Sequence, residues 1–469
     1  MVKFSPTKLT LLAALSISCP LFLNAQSFNV QCPQSTTLHP APGATPGAIK
    51  CQEVSGGDGF ATMGDGNQIF LFGFGPLSGL ADMQAGLPGT ETAGVFMGID
   101  KTNDPTGANR AMQTVTDIMN TGVMNAESPA PLMAIDEDDE FFLTLSNVGM
   151  IMRPDLFEQH TIHFHGYPNA SSFFDGVPDA SVAINIGGSF TYYYTAPDAG
   201  TYFFHCHIAP PEHLQMGMVG QLYVRPRQNR VVGDLYSSLV AANQARGSLD
   251  GLHCADILCT GNTAAPAINT GATGTGTTMY AYNDGDGSTQ YDVEYPIQIM
   301  GFDPNFHFVG MTFNPEGFAD MKDRYHMLSG RQYPDTVNTS YISTEGSDGV
   351  SRPSQPIRSL IVIDKSKGQK RALIRLSDLS VTNFTTLGTI GIPMHVIALD
   401  ARLLRDANGN NMAYDTNSLS LGGGESADFI LDATNISDGT YFLYSTNLDH
   451  LSNDAENFGG QMTEIHVIN

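Results

Sequence analysis

Apolar residues along this chain come in short runs broken by Gly, Pro, Asp and Asn. "FFLTLSNV", within residues 131–149, alternates in the period of a strand with one face turned inward. "SVAINIGGSFTYYYTAPDAGTYFFHCH" (181–207) reads as strand, Gly turn, strand, Pro-Asp-Ala-Gly turn, strand. Strands at this spacing predict an all-β sandwich or barrel. Beyond the first 25 residues, no segment reaches the ~18 apolar residues that a membrane-crossing helix needs.

The pattern repeats weakly. "INIGGSFTYYYTAPDAGTYFFHCH" lies over "LSLGGGESADFILDATNISDGTYFLYST" (419–446), matching Gly200–Phe203 to Gly439–Phe442. In this register His205, Cys206 and His207 face Tyr444, Ser445 and Thr446. Downstream, "GQLYV" set against "GQMTEI" places Phe458 opposite Met218. Upstream, "MHVIALD" (394–400) is set against "HTIHFHG". The second copy keeps the strands and loses the histidines. A Gly/Thr/Ala-rich stretch, 260–279, has little charge or periodicity and reads as linker. The expected organisation is a leader at 1–25, a first β unit at 26–230, a linker at 231–290 and a second β unit at 291–469.

Composition adds three constraints. The opening "MVKFSPTKLTLLAALSISCPLFLNA" has a basic start at Lys3 and Lys8, then an apolar stretch, then Ala25, as in a secretory signal. Export to the periplasm or beyond is the expectation, without membrane insertion. Cys32 and Cys51 flank a Pro/Gly-rich loop, and Cys254 and Cys259 flank "ADIL"; each pair suits a disulfide in an oxidising compartment. Cys206 is then the odd thiol. The net charge is −25. That balance excludes nucleic acid and anionic membranes as partners and suits cations, or simple solubility.

Six of the 13 histidines lie in two stretches, "HTIHFHGYPNASSFFDG" (160–176) and "YFFHCHIAPPEHLQMGM" (202–218). Thiolate, imidazole and thioether together select copper over magnesium, calcium or manganese. A blue-copper centre needs two His, one Cys and a weak axial Met, and His160, Cys206, His213 and Met218 supply that set. Met216 is a rival axial donor. On strands, His163 and His165 share a face, as do His205 and His207, while Cys206 points the other way. Four imidazoles are thus left for a second cluster.

His-x-x-His-x-His followed by His-Cys-His-Ile … His … Gly-Met resembles the multicopper oxidases, the laccase-like family of cupredoxin domains. "HFHG … DGVP … GGSFTYYY … AGTYFFHCH" is similar to that family's first-domain pattern, strongly over 130–225 and weakly over 294–469. The resemblance implies two cupredoxin-like Greek-key β-sandwich domains, the second lacking copper ligands. It implies type 1 copper at His160, Cys206, His213 and Met218. It implies type 2 copper at His163 and the type 3 pair at His165, His205 and His207. Asp175, in "DGVP", matches an acid that moves protons near the cluster; a turn Asp before Gly reads equally well. The implied activity is one-electron oxidation of a phenol-like or metal-ion reductant at type 1 copper, coupled to O₂ reduction, with Cys206 as the link.

Three departures stand out. The family's cluster takes eight histidines in four His-x-His pairs, and this chain has two such pairs. Completion by a homo-oligomer, completion by a second copper subunit, or absence of the cluster follows. His307, His326, His395 and His450 read as satisfied core or surface groups, and His307, in "NFHFVG", is the one of them to test as a neighbour's ligand. The Cys206–His213 loop is two residues longer than usual and resembles that of copper nitrite reductases, although His163 and His207 argue against that activity. The acid that many oxidases place after His-Cys-His-Ile is Ala209 here, with Glu212 nearby. The alternatives are a non-enzymatic blue-copper protein that carries electrons or copper, and a nitrite reductase.

Overall fold

The computed structural model describes residues 28–41, 47–167, 171–230, 279–311 and 317–469, with 235, 237, 240 and 241. The leader, Cys254 with Cys259, and most of 231–290 lie outside the described residues.

The chain is built of strands, as its alternation predicts. One sheet orders Gln68–Pro76, Ile49–Thr62, Glu140–Gly149 and Ser189–Thr195. The facing sheet orders Met133–Asp136, Val219–Arg225, Gly200–His205 and His163–Phe164. Alternate residues Phe141, Leu143 and Leu145 point between them and pack with Phe72, Tyr192, Phe204, Leu222, Cys206 and Met218. Each such side chain contributes roughly 1.5–3 kcal/mol on burial. The opposite face of Glu140–Gly149 is not solvated. Thr144 bonds Thr191 at 2.8 Å and Ser146 donates to Glu53 at 3.0 Å. The N-terminal segment lies over this sheet, closed by a Cys32–Cys51 disulfide.

The second half repeats the plan. Val293–Phe302, Arg371–Asp378 and Ser426–Asp432 take the places of Ile49–Thr62, Glu140–Gly149 and Ser189–Thr195, with the same parallel and then antiparallel pairing. Ile361–Asp364, Met462–Ile468, Gly439–Ser445 and Thr385–Ile390 form the facing sheet in the same order as in the first half. Among the described residues no ladder joins the halves. They meet face to face. Phe203, Val219 and Leu71 pack on Met300, Phe302, Met327 and Leu379. Thr201 donates to Asp428 at 2.6 Å, and Gln221 donates to Ser377 at 2.8 Å. Residues 279–291, part of the stretch read as linker, form a hairpin whose Ala281, Tyr282 and Asn283 are fully buried.

The repeat holds at Gly200–Phe203 and Gly439–Phe442, but two flanking registers need correction. Met394–Leu399 pairs with Ser426–Asp432, in the other sheet. The true counterpart of "HTIHFHG" is "TTLGTIG" (385–391): His163 pairs with His205 as Gly388 pairs with Tyr444. Both segments end in a glycine of positive φ, Gly166 at 65° and Gly391 at 86°. Downstream, Val219 pairs with His205 as Met462 pairs with Tyr444, so Gln461, not Phe458, stands opposite Met218. Phe458 is 90% exposed. Apolar alternation is common to every buried strand, so it left these registers undetermined; pairing partners resolve them.

Candidate metal centre

Cys206 directly follows the strand Gly200–His205, and its backbone N–H donates to Met218 O at 3.1 Å. That bond folds the loop back, so that Met218 N–H in turn donates to His213 O at 2.8 Å. His213 sits in the short helix Pro210–Gln215. Pro210 and Pro211 pre-set the first helical turn, where a missing N–H costs nothing. Ala209 caps that helix in the left-handed region at φ 38°. The two extra loop residues are thus folded into a helical turn that delivers His213 to the core. His160 arrives from a bridge to Ile184.

These elements bring His160, Cys206 and His213 together, fully buried, with ligand atoms all within 4.8 Å of one another. His213 Nδ1 is 3.3 Å from Cys206 Sγ, and Thr161 N–H donates to the same sulfur at 3.4 Å. Burial raises the Cys206 pKa, but His213 and His160 outweigh it and hold the thiol well below its usual range. Burial lowers His213, but Cys206 and Glu158 carry it up to about 10. Burial keeps His160 below its usual value. Both ring nitrogens of His160 are buried without a hydrogen-bond partner. Such orphans are costly unless something binds them. A thiolate and two imidazoles, with Met218 buried on the same loop, fit copper.

The second group lies on the other side of the same strands. His163, His165 and His205 place their ligand atoms within 4.8 Å of one another. The His207 ring is 5.1 Å from that of His163 and 5.5 Å from that of His205. The chain fixes the rings from behind. His163 Nδ1 donates to Asp175 O at 2.7 Å, and His205 Nδ1 donates to Cys206 O at 2.7 Å. His165 backs onto Gly424, where a Cβ would come within 2.9 Å of its Nδ1. The Nε2 atoms are left to converge: those of His165 and His205 are 3.0 Å apart. Burial and the neighbouring imidazoles lower His205 to about 3 and His165 to about 4. Both are uncharged at neutral pH. Neutral rings held at one nitrogen and free at the other are what metal ligation needs. His163 and His207 are half-buried, and a cavity of about 400 Å³ opens beside His165, between Leu214 and Phe384.

All seven proposed His and Cys ligands therefore fall into these two groups. Met218 is fully buried on the loop that closes the first. Met216 turns elsewhere: a Cβ on Gly310 would lie 3.2 Å from its sulfur. Asp175 touches the cluster, chiefly through its carbonyl; its carboxylate stands 3.6 Å from His163 Nδ1. Gly176 follows because a Cβ there would meet Ile162 O at 2.0 Å. Glu212 lies with His213 and Glu158, on the Cys206 side.

His307 is a satisfied core histidine, the reading favoured for it. It is fully buried, with Nδ1 at 2.5 Å from Phe70 O and Nε2 at 2.9 Å from Gln215 O. It braces the metal loop within its own chain and offers nothing to a neighbour. Sequence reasoning missed Glu158, whose carboxylate is 3.7 Å from His213 Nε2. Its signal was an acid two residues before His160.

The family described as multicopper oxidase matches residues 108–229. A laccase of Aspergillus fumigatus is 32% identical over 132 residues, 28% of this chain and 19% of that protein. A multicopper oxidase of Mycobacterium tuberculosis is 29% identical over 131 residues, 28% of this chain and 24% of that protein. The chain thus spans roughly a fifth of the length of such relatives. The blue copper oxidase of Nitrosomonas europaea superposes with a TM-score of 0.52 at 18% identity, covering 89% of this chain and 85% of that one. A second solved multicopper oxidase gives 0.51 at 16% identity, over 89% and 86%. Residues 108–229 are thus similar to the copper-binding multicopper oxidase family, and the overall fold is the cupredoxin fold of the solved multicopper oxidases.

Proposed function

We propose that the protein is an exported oxidoreductase that takes single electrons from a reductant at His213 and delivers them to O₂ at the four-histidine group. The observation that carries this reading is Cys206. Its side chain belongs to one donor set, and its chain neighbours His205 and His207 belong to the other. The two groups are therefore joined by a few covalent bonds. Type 1 copper at His160, Cys206, His213 and Met218 would supply one-electron exchange, and type 2/type 3 copper at the histidine group would supply O₂ reduction. Each O₂ takes four electrons and four protons and leaves as two waters.

The chain's own groups set the rest. Asp175 holds the His163 ring through its carbonyl and offers its carboxylate as a proton donor at the cluster. Glu158 stands over the Nε2 edge of His213 and gives that edge negative charge, which favours a cationic reductant over an anionic one. The half-buried side of His163, His165 and His207 faces outward, so a second chain completes the cluster. A twofold partner of the same chain would bring four more imidazoles. The division into units at 26–230 and 291–469 is our reading, supported by strand pairing within each half. Export is supported by the Cys32–Cys51 disulfide.

The test is oxygen uptake by the copper-loaded protein with Fe²⁺ or a phenol as reductant. Reduction to water is expected. His165→Ala should abolish it while leaving the blue absorption in place. A loaded blue centre without oxygen uptake would overturn the oxidase reading in favour of an electron carrier.

A further inference from the structure

The second sandwich repeats the metal loop of the first, bond for bond. Cys206 N–H donates to Met218 O at 3.1 Å, and Ser445 N–H donates to Gln461 O at 2.8 Å. Met218 N–H donates to His213 O at 2.8 Å, and Gln461 N–H donates to His450 O at 2.9 Å. Val219 N–H donates to Gly217 O and Met462 N–H to Gly460 O, both at 2.9 Å. The side chains follow the backbone. His213 Nδ1 is 3.3 Å from Cys206 Sγ, and His450 Nδ1 is 3.4 Å from Ser445 Oγ. The strand register places Thr385 where the first sandwich has His160. The set His, Cys, His, Met has therefore become Thr385, Ser445, His450, Gln461.

This second set is as enclosed as the first. Ser445, Thr385, Gln461 and His450 are all at most 4% exposed. Thr385 Oγ1 and Gln461 Oε1 are buried without a well-aligned hydrogen-bond partner. Gln461 turns to the His450 ring, and such buried polar atoms are costly in a core that could have been made apolar. One wall also differs. Phe72, on the strand next to Ile49–Thr62, packs edge-on to His213 with ring centroids 6.0 Å apart. On the corresponding strand His326 stacks on His450 at 3.8 Å. A second imidazole stands where the first sandwich has a phenyl ring. Burial lowers His450 against the opposing pull of Gln461 and Asp449, and burial together with His450 lowers His326 to about 3.

We propose that the second sandwich holds its own mononuclear cation site, centred on His450 with Ser445, Gln461 and Thr385, which takes Cu²⁺ or Zn²⁺ through imidazole nitrogen and neutral oxygen. Without a thiolate it favours Cu²⁺ over soft Cu⁺ and has no intense colour. It lies apart from the two histidine groups of the first sandwich and does not depend on oxygen reduction there.

The test compares Cys206→Ser with Cys206→Ser/His450→Phe, each loaded with Cu²⁺ and freed of excess. Copper per chain is read by elemental analysis and the ion's environment by electron paramagnetic resonance. The double variant should hold one copper per chain fewer, and the lost signal should be that of a nitrogen–oxygen site. Equal copper and equal spectra would overturn the proposal. His450→Phe alone, against the unmodified chain, gives the same difference independently of any change at Cys206. In folded Cys206→Ser/Ser445→Cys, a new thiolate-to-copper absorption is expected; its absence would show that these side chains do not converge on an ion.

Discussion

Single residues carry most of what the sequence discloses here. That His160, Cys206 and His213 form one group, and His163, His165 and His205 another, was legible because ligand chemistry fixes residue type and strand period fixes which face each takes. Glu158 was not, since an acid near a strand end has no signature of its own until the fold sets it against His213. Its effect is measurable. Glu158→Gln removes the negative charge that stands 3.7 Å from His213 Nε2. We expect kcat/KM for Fe²⁺ to fall about tenfold, roughly 1.4 kcal/mol, with a neutral phenol little affected. Steady-state rates with both reductants check it; equal losses for both would mean that Glu158 is only structural. His307 behaves as a lone histidine in an apolar stretch is expected to, buried with both ring nitrogens at carbonyl oxygens.

At the scale of elements, the strands and their turns were readable from alternation, and the metal loop from its motif. The registers flanking the repeat were not, because "MHVIALD" and "TTLGTIG" are both apolar strands and only their pairing partners differ. Nor did the sequence show what holds the loop 206–218. Helix Pro304–Met311 of the second half does so, through His307 to Gln215 O, while Gln215 donates to Asp323 at 2.8 Å. Burial lowers the His307 pKa to about 4, against the opposing pull of the two carbonyls. His307→Ala leaves a cavity and an unpaired carbonyl. It should cost about 2–4 kcal/mol in denaturant unfolding. It should also shift the blue absorption of the loaded protein, since the loop carries His213 and Met218. A destabilised protein with an unchanged spectrum would show that the helix does not set the loop.

The whole molecule is a strongly acidic pair of sandwiches whose contact face is full of buried charge. Glu294 lies between Arg225 of the first half and Arg375 of the second, 3.0 Å from the latter. Burial raises its pKa, but the two guanidinium groups outweigh that and hold it at about 2. The folded value is depressed below the ordinary 4.5 of a Glu, so this stabilisation is complete above about pH 4.5 and is lost as pH falls toward 2. Its size is on the order of 3 kcal/mol. Asp378 behaves oppositely. Burial raises it to about 7 and Asp323 to about 6. The folded state then binds more protons than the unfolded one, so stability falls as pH rises from about 4 to 7. Thermal unfolding across pH should therefore peak near pH 4–5, Asp378→Asn should flatten the neutral limb, and Glu294→Gln should flatten the acid limb. A maximum at neutral pH would contradict this balance. None of it was visible in composition, which gave the net charge of −25 but not which acids are buried.

The two donor groups joined through Cys206 remain the centre of the account, and one spectrum tests them most directly. The protein is loaded with copper and its visible absorption is compared with that of Cys206→Ser. An intense thiolate-to-copper band in the unmodified protein, absent from the variant, is the expected result. A folded, copper-containing protein with no such band would contradict it.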